Sequence, residues 1–108
     1  FMPLRATDAR KLIRRLLEEG RFVSPGAGTH ARKEMDKDDL CDVDAVNVLR
    51  GGVVREPEWE NGSWRYRAET PKMVFVVVLD PEPDRMPGEQ DELGELELIV
   101  VTGWRMRP

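Results

Sequence analysis

Trp64-Arg65-Tyr66-Arg67-Ala68-Glu69-Thr70-Pro71-Lys72-Met73-Val74-Phe75-Val76-Val77-Val78-Leu79 decides the fold. Its first six residues alternate: Trp64, Tyr66 and Ala68 point one way, Arg65, Arg67 and Glu69 the other. That period of two is the mark of a half-buried strand. Thr70-Pro71-Lys72 turns the chain. The run from Met73 to Leu79 is apolar throughout, as in a central strand covered on both faces. Two adjacent strands joined by three residues are an antiparallel pair.

Working outward, Glu60-Asn61-Gly62-Ser63 precedes this pair, and Asn-Gly is the strongest short hairpin signal. Val53-Val54-Arg55-Glu56 begins a further strand, which Pro57 limits or places at an edge. Residues 80–94 are a Pro-rich acidic loop, long for a hairpin and expected to be mobile. Residues 95–104 form the last strand. Strict alternation puts Leu96, Leu98, Val100, Thr102 and Trp104 on one face, and Glu97, Ile99, Val101 and Arg105 on the other.

Upstream of Gly51-Gly52 the period is helical. Thr7 is a candidate N-cap for a helix over residues 8–19, with Ala9, Leu12, Ile13, Leu16 and Leu17 inward and Gly20 at its end. Its basic face (Arg10, Lys11, Arg14, Arg15) reads as solvated. Phe22-Val23-Ser24 suits a short edge strand. Thr29 caps a short helix from His30 to about Lys37, with Ala31 and Met35 inward. Asp39 or Asp42 caps a third helix reaching Arg50, with Val43, Val46, Leu49 and Ala45 inward. The predicted fold is α+β: two to three N-terminal helices packed on a mainly antiparallel sheet of about four strands, one domain over residues 1–108.

The net charge of −4 is unevenly spread. Residues 63–79 carry three Lys/Arg against one Glu. Flanking them, residues 36–62 carry three against eight acids, and residues 80–97 one against eight. The balance excludes indiscriminate nucleic-acid binding and confines any anion site to a local strip. The single cysteine, Cys41, excludes an internal disulfide and a cysteine-based zinc site, and a buried thiol is the default expectation. A cytoplasmic location is the simplest reading. No segment has the length of a membrane span, and the first residues hold no apolar signal core. Phe1 precedes Met2, so Phe1 is extraneous if Met2 is the natural start.

Arg65 and Arg67 are the most suggestive chemistry. Paired guanidinium forks suit phosphate or carboxylate, and they equally suit cross-strand ion pairs with Glu56, Glu58 or Glu97. His30, the only histidine, has the chemistry of a general acid or base and equally that of a surface residue. Asp36, Asp38, Asp39, Asp42 and Asp44 fail the calcium-loop pattern, since Cys41 and Asn47 stand where glycine and glutamate belong. Pro25-Gly26-Ala27-Gly28 lacks the Lys-Ser/Thr of a phosphate loop. No metal site or cofactor is expected.

The stretches Thr29-His30-Ala31-Arg32-Lys33-Glu34-Met35, Asp44-Ala45-Val46-Asn47-Val48-Leu49-Arg50-Gly51-Gly52-Val53-Val54, Trp64-Arg65-Tyr66-Arg67 and Val100-Val101-Thr102-Gly103-Trp104-Arg105 together resemble small bacterial domains related to the RelE, BrnT and MqsR toxins. The resemblance spans roughly four-fifths of the chain, through short motifs. It implies the toxin of a type II toxin–antitoxin system, a metal-independent endoribonuclease acting on mRNA, with RNA and a small antitoxin, of helix-turn-helix type, as partners. It also implies roles: His30 as acid or base, Arg65 stabilising the phosphate, with Lys33, Arg67, Tyr66, Thr102 and Trp104 binding substrate. Two alternatives stay open. One is a non-catalytic protein-binding module, an immunity or accessory protein. The other is a homodimer paired through the strand edge near Val53.

Overall fold

A computed structural model of the protein describes residues 2–107; Phe1 lies outside them. Three helices lead, α1 (Ala6–Glu18), α2 (His30–Lys37) and α3 (Asp42–Gly51). The strands are β1 (Phe22–Val23), β2 (Val53–Val54), β3 (Glu58–Glu60), β4 (Ser63–Glu69), β5 (Met73–Asp80) and β6 (Glu97–Arg105). The expected α+β fold is present. The sheet has six strands rather than about four, because the chain adds three short ones around the long β4, β5 and β6. Its order is β1-β6-β5-β4-β2, with β3 on the far end of β4. Only β1 and β6 run parallel.

Ala9, Leu12, Ile13, Leu16 and Leu17 of α1 are all buried, as their spacing requires. The helix begins one residue before Thr7, and no side chain at its N-cap position closes it. Glu56 does that work from 50 residues away: its Oε1 accepts the Ala6 N–H at 2.9 Å and the Arg5 Nε–H at 3.3 Å. A carboxylate there satisfies an orphan donor and faces the positive helix end. The Ala6 N–H, then Arg5, hold its carboxyl below the usual range. The folded pKa is below the unfolded one, so this contribution is full above the ordinary carboxylate pKa and is lost as pH falls through the lowered value. Glu56→Gln is therefore expected to lower Tm at neutral pH and to shrink that difference in acid, checked by thermal melts across pH.

Thr29 caps α2 as expected, its Oγ1 accepting the Arg32 N–H at 3.1 Å. The cap of α3 is Cys41, neither Asp39 nor Asp42; the Asp44 carboxylate accepts the Cys41 N–H at 3.0 Å. That start fixes the inward stripe as Ala45, Val48 and Leu49. Val46 is half-buried and Val43 is exposed, contrary to expectation. Cys41 is exposed too, not buried, because a capping residue sits at the mouth of its helix.

One apolar core fills the space between the helices and one sheet face, with Tyr66, Phe75, Val77, Leu98 and Val100 contributed by the strands. The connection over residues 80–94 is tied to the helix layer. Arg15 Nη1 donates to the Gly88 carbonyl at 3.0 Å, Arg15 Nη2 to that of Asp91, and Arg21 Nη1 to that of Gly94 at 2.5 Å. Leu93, near the end of this connection, is itself buried. The α1 basic face is thus partly structural; Arg14 likewise donates to the Arg50 carbonyl at 2.9 Å.

Candidate functional site

The sheet face away from the helices gathers the charged residues of β4. Alternation turns Tyr66 and Ala68 into the core and leaves Arg65 and Arg67 on the open face. Asn61 and Gly62 both have positive φ (50° and 82°), the signature of a two-residue primed turn. That turn sets Glu58 opposite Arg65 and Glu60 opposite Ser63.

The last strand departs from strict alternation. Val76 pairs with Thr102 but Val77 pairs with Val100, so Val101 is the extra residue of a bulge. Up to Val100 the even-numbered residues face the core. Beyond the bulge the odd-numbered ones do: Gly103 pairs with Phe75, and Arg105 hydrogen-bonds the Asp38 backbone on the helix side. The single face expected for Leu98, Val100, Thr102 and Trp104 is therefore split. Thr102 and Trp104 join Arg65 and Arg67 instead.

These four, with Glu58 and Glu60, line a cavity of about 140 Å³. The Arg67 guanidinium carbon lies 5.6 Å from the Trp104 ring centroid, a cation–π distance. Arg65 Nε is shut off from solvent and, among the described residues, has no hydrogen-bond acceptor. The cross-strand ion pairs weighed for the two arginines do not form among the described residues. Glu56 is engaged by Arg5, and Glu58, although opposite Arg65, is not within ion-pair distance. A buried guanidinium N–H without an acceptor is an unfavourable arrangement.

The other residues singled out in the sequence lie elsewhere. Tyr66 is fully buried and its hydroxyl donates to the Leu4 carbonyl at 2.7 Å. Burial, with a smaller effect of Glu82, pushes its phenol above the ordinary range. It is a core residue, not a ligand for substrate. Tyr66→Phe is expected to remove about 1 kcal/mol of stability, by leaving a buried carbonyl unpaired, and to leave any binding by the open face intact; denaturant melts and a binding titration check both halves.

His30 and Lys33 stand on α2, whose Met35 enters the core from the helix side. The His30 side chain is 89% exposed, with Glu34 Oε1 3.8 Å from its Nε2. Neither residue shares the face of Arg65. Among the described residues, the acid–base groups lining the arginine cavity are the carboxylates of Glu58 and Glu60. Those two were legible as partners of β4 once Asn61-Gly62 is taken as a two-residue turn. Among the described residues no cluster of three His, Cys, Asp or Glu side chains could hold a metal ion, and no helix is long and apolar enough to cross a membrane.

No family model matches the chain, and no curated protein or solved structure matches it either.

Proposed function

We propose that the open sheet face binds RNA by its phosphates, in the manner of a toxin-like domain of a type II toxin–antitoxin system. The observation that supports this reading is the convergence of Arg65, Arg67, Thr102 and Trp104 on one small cavity. Guanidinium groups and a hydroxyl donate to phosphate oxygens, and an indole at the rim offers a base a stacking surface. Cleavage by this face would not use His30. Metal-independent cleavage needs a group to take the 2′-hydroxyl proton and donors for the charged phosphorane. Here Glu58 or Glu60 would take the 2′-hydroxyl proton as that oxygen bonds to phosphorus, the carboxylic acid so formed would return a proton to the 5′-oxygen as its bond to phosphorus breaks, and Arg65 with Arg67 would be the donors to the phosphorane.

The test is a titration of labelled single-stranded oligoribonucleotides, with incubation in EDTA to follow product ends. Saturable binding that weakens with salt and is lost in Arg65→Ala is expected, with His30→Ala unchanged. Binding or cleavage that depends on His30 and not on Arg65 overturns the assignment of the face. A second reading is favoured by Glu58 and Glu60 beside the arginines, which make the face mixed in charge: a non-catalytic module docking a protein partner of matched charges. No oligoribonucleotide binding, with Arg65-dependent binding of a protein partner, selects that reading.

A further inference from the structure

A second cavity, of about 320 Å³, lies at the end of the sheet beside the Asn61-Gly62 turn. Trp59 and Trp64, directly opposed across the β3–β4 pair, contribute its aromatic wall. Their rings meet edge to face, centroids 5.4 Å apart and planes at 66°. Trp59 remains 61% exposed, an unusual place for an indole in a small domain. Leu79 adds an apolar surface, and the charged residues of the lining, Asp80 and Glu82, are both acids. Glu82 Oε1 is closed off from solvent and, among the described residues, has no hydrogen-bond donor.

We propose that this cavity binds a small alkylammonium ligand, its N–H groups donating to Glu82 and its carbon chain lying against Trp59 and Trp64. The charge of the lining selects a cation. Carboxylates in the lining select one bearing N–H donors, since such a bond is charge-assisted on both sides. Two indole faces favour a cation with an apolar body. The volume admits a ligand of a few carbons rather than a folded partner. Burial also holds the Glu82 carboxyl above its ordinary pKa, as fits a carboxylate short of a counter-charge. The site is separate from the RNA-binding reading and stands or falls independently of it.

The probe is n-hexylammonium, followed by tryptophan fluorescence in Trp104→Phe protein, where Trp59 and Trp64 are the remaining reporters. A saturable change is expected with n-hexylammonium, and none with hexanol or hexanoate at equal concentration. Glu82→Gln, nearly isosteric, is expected to weaken binding at least about tenfold, the loss of one hydrogen bond to a charged group. Calorimetry on the otherwise unaltered chain and on Glu82→Gln gives the same comparison without a tryptophan change. No saturable signal, equal binding of hexanol, or unchanged affinity in Glu82→Gln overturns the proposal.

Discussion

Gly103→Val will destabilise the protein by about 3 kcal/mol, the upper end for overpacking a core, and lower Tm by roughly 12–20 °C. Valine is among the best strand formers, so local preference alone predicts a gain within β6. Packing decides otherwise. Gly103 pairs with Phe75, and a Cβ at position 103 would lie 2.5 Å from two carbons of that ring. Phe75 is fully buried at the middle of the sheet and has no room to retreat. The ring covers the glycine as a side chain would, a cross-strand partnership that fixes the register beyond the bulge. The two positions must therefore couple. In a Phe75→Leu background the penalty of Gly103→Val should fall by about 0.5–3 kcal/mol, the range seen for residues in contact. Denaturant melts of the two single variants and the double variant provide the cycle. Strict additivity would show that Gly103 is needed for some other reason.

Arg65→Ala will weaken ligand binding at the open face by roughly 10- to 150-fold, which is about 1.5–3 kcal/mol for a hydrogen bond to a charged group. The expected effect is specific to the guanidinium. Arg65→Lys keeps the charge but lacks the fork and the Nε–H, so it should recover only part of the loss. Stability should move the opposite way to affinity. The Arg65 side chain is half-buried with an unsatisfied Nε, so its truncation relieves an unfavourable contact in the unliganded protein. A fall in affinity with no loss of Tm is the pattern of a residue held for binding. A fall in both, with no salt dependence, would mark it as structural.

The parts of this fold that read directly from sequence are those governed by one local rule. The five apolar positions of α1, the Thr29 cap, the alternation of β4 and the Asn61-Gly62 turn each follow from nearest neighbours. Most misreadings have a different cause, because they depend on a residue far away in the chain. Nothing near Ala6 announces that Glu56 closes α1. The start of α3 is the local exception: Cys41, a residue type that seldom caps, begins the helix by an exchange with Asp44 three residues on. The face of Thr102 and Trp104 hinged on a single extra residue, Val101, set by pairing with β5. Valine at a bulge carries no sequence signal of its own. That one residue explains the candidate site: strict alternation would bury Thr102 and Trp104 with Leu98 and Val100, leaving the arginines alone. The pairing of His30 with Arg65 failed for a simpler reason. Helices cover one face of the sheet, and the arginines occupy the other.

Nε–H correlations of the arginine side chains, followed by NMR while a short oligoribonucleotide is added, observe the proposed contact atom by atom. The account predicts that the Arg65 and Arg67 signals shift and saturate together, along with the Trp104 indole N–H, while the Arg14, Arg15 and Arg32 signals on the helix side stay fixed. Shifts confined to the helix side around His30 and Lys33, or none at Arg65 at saturating ligand, would contradict it.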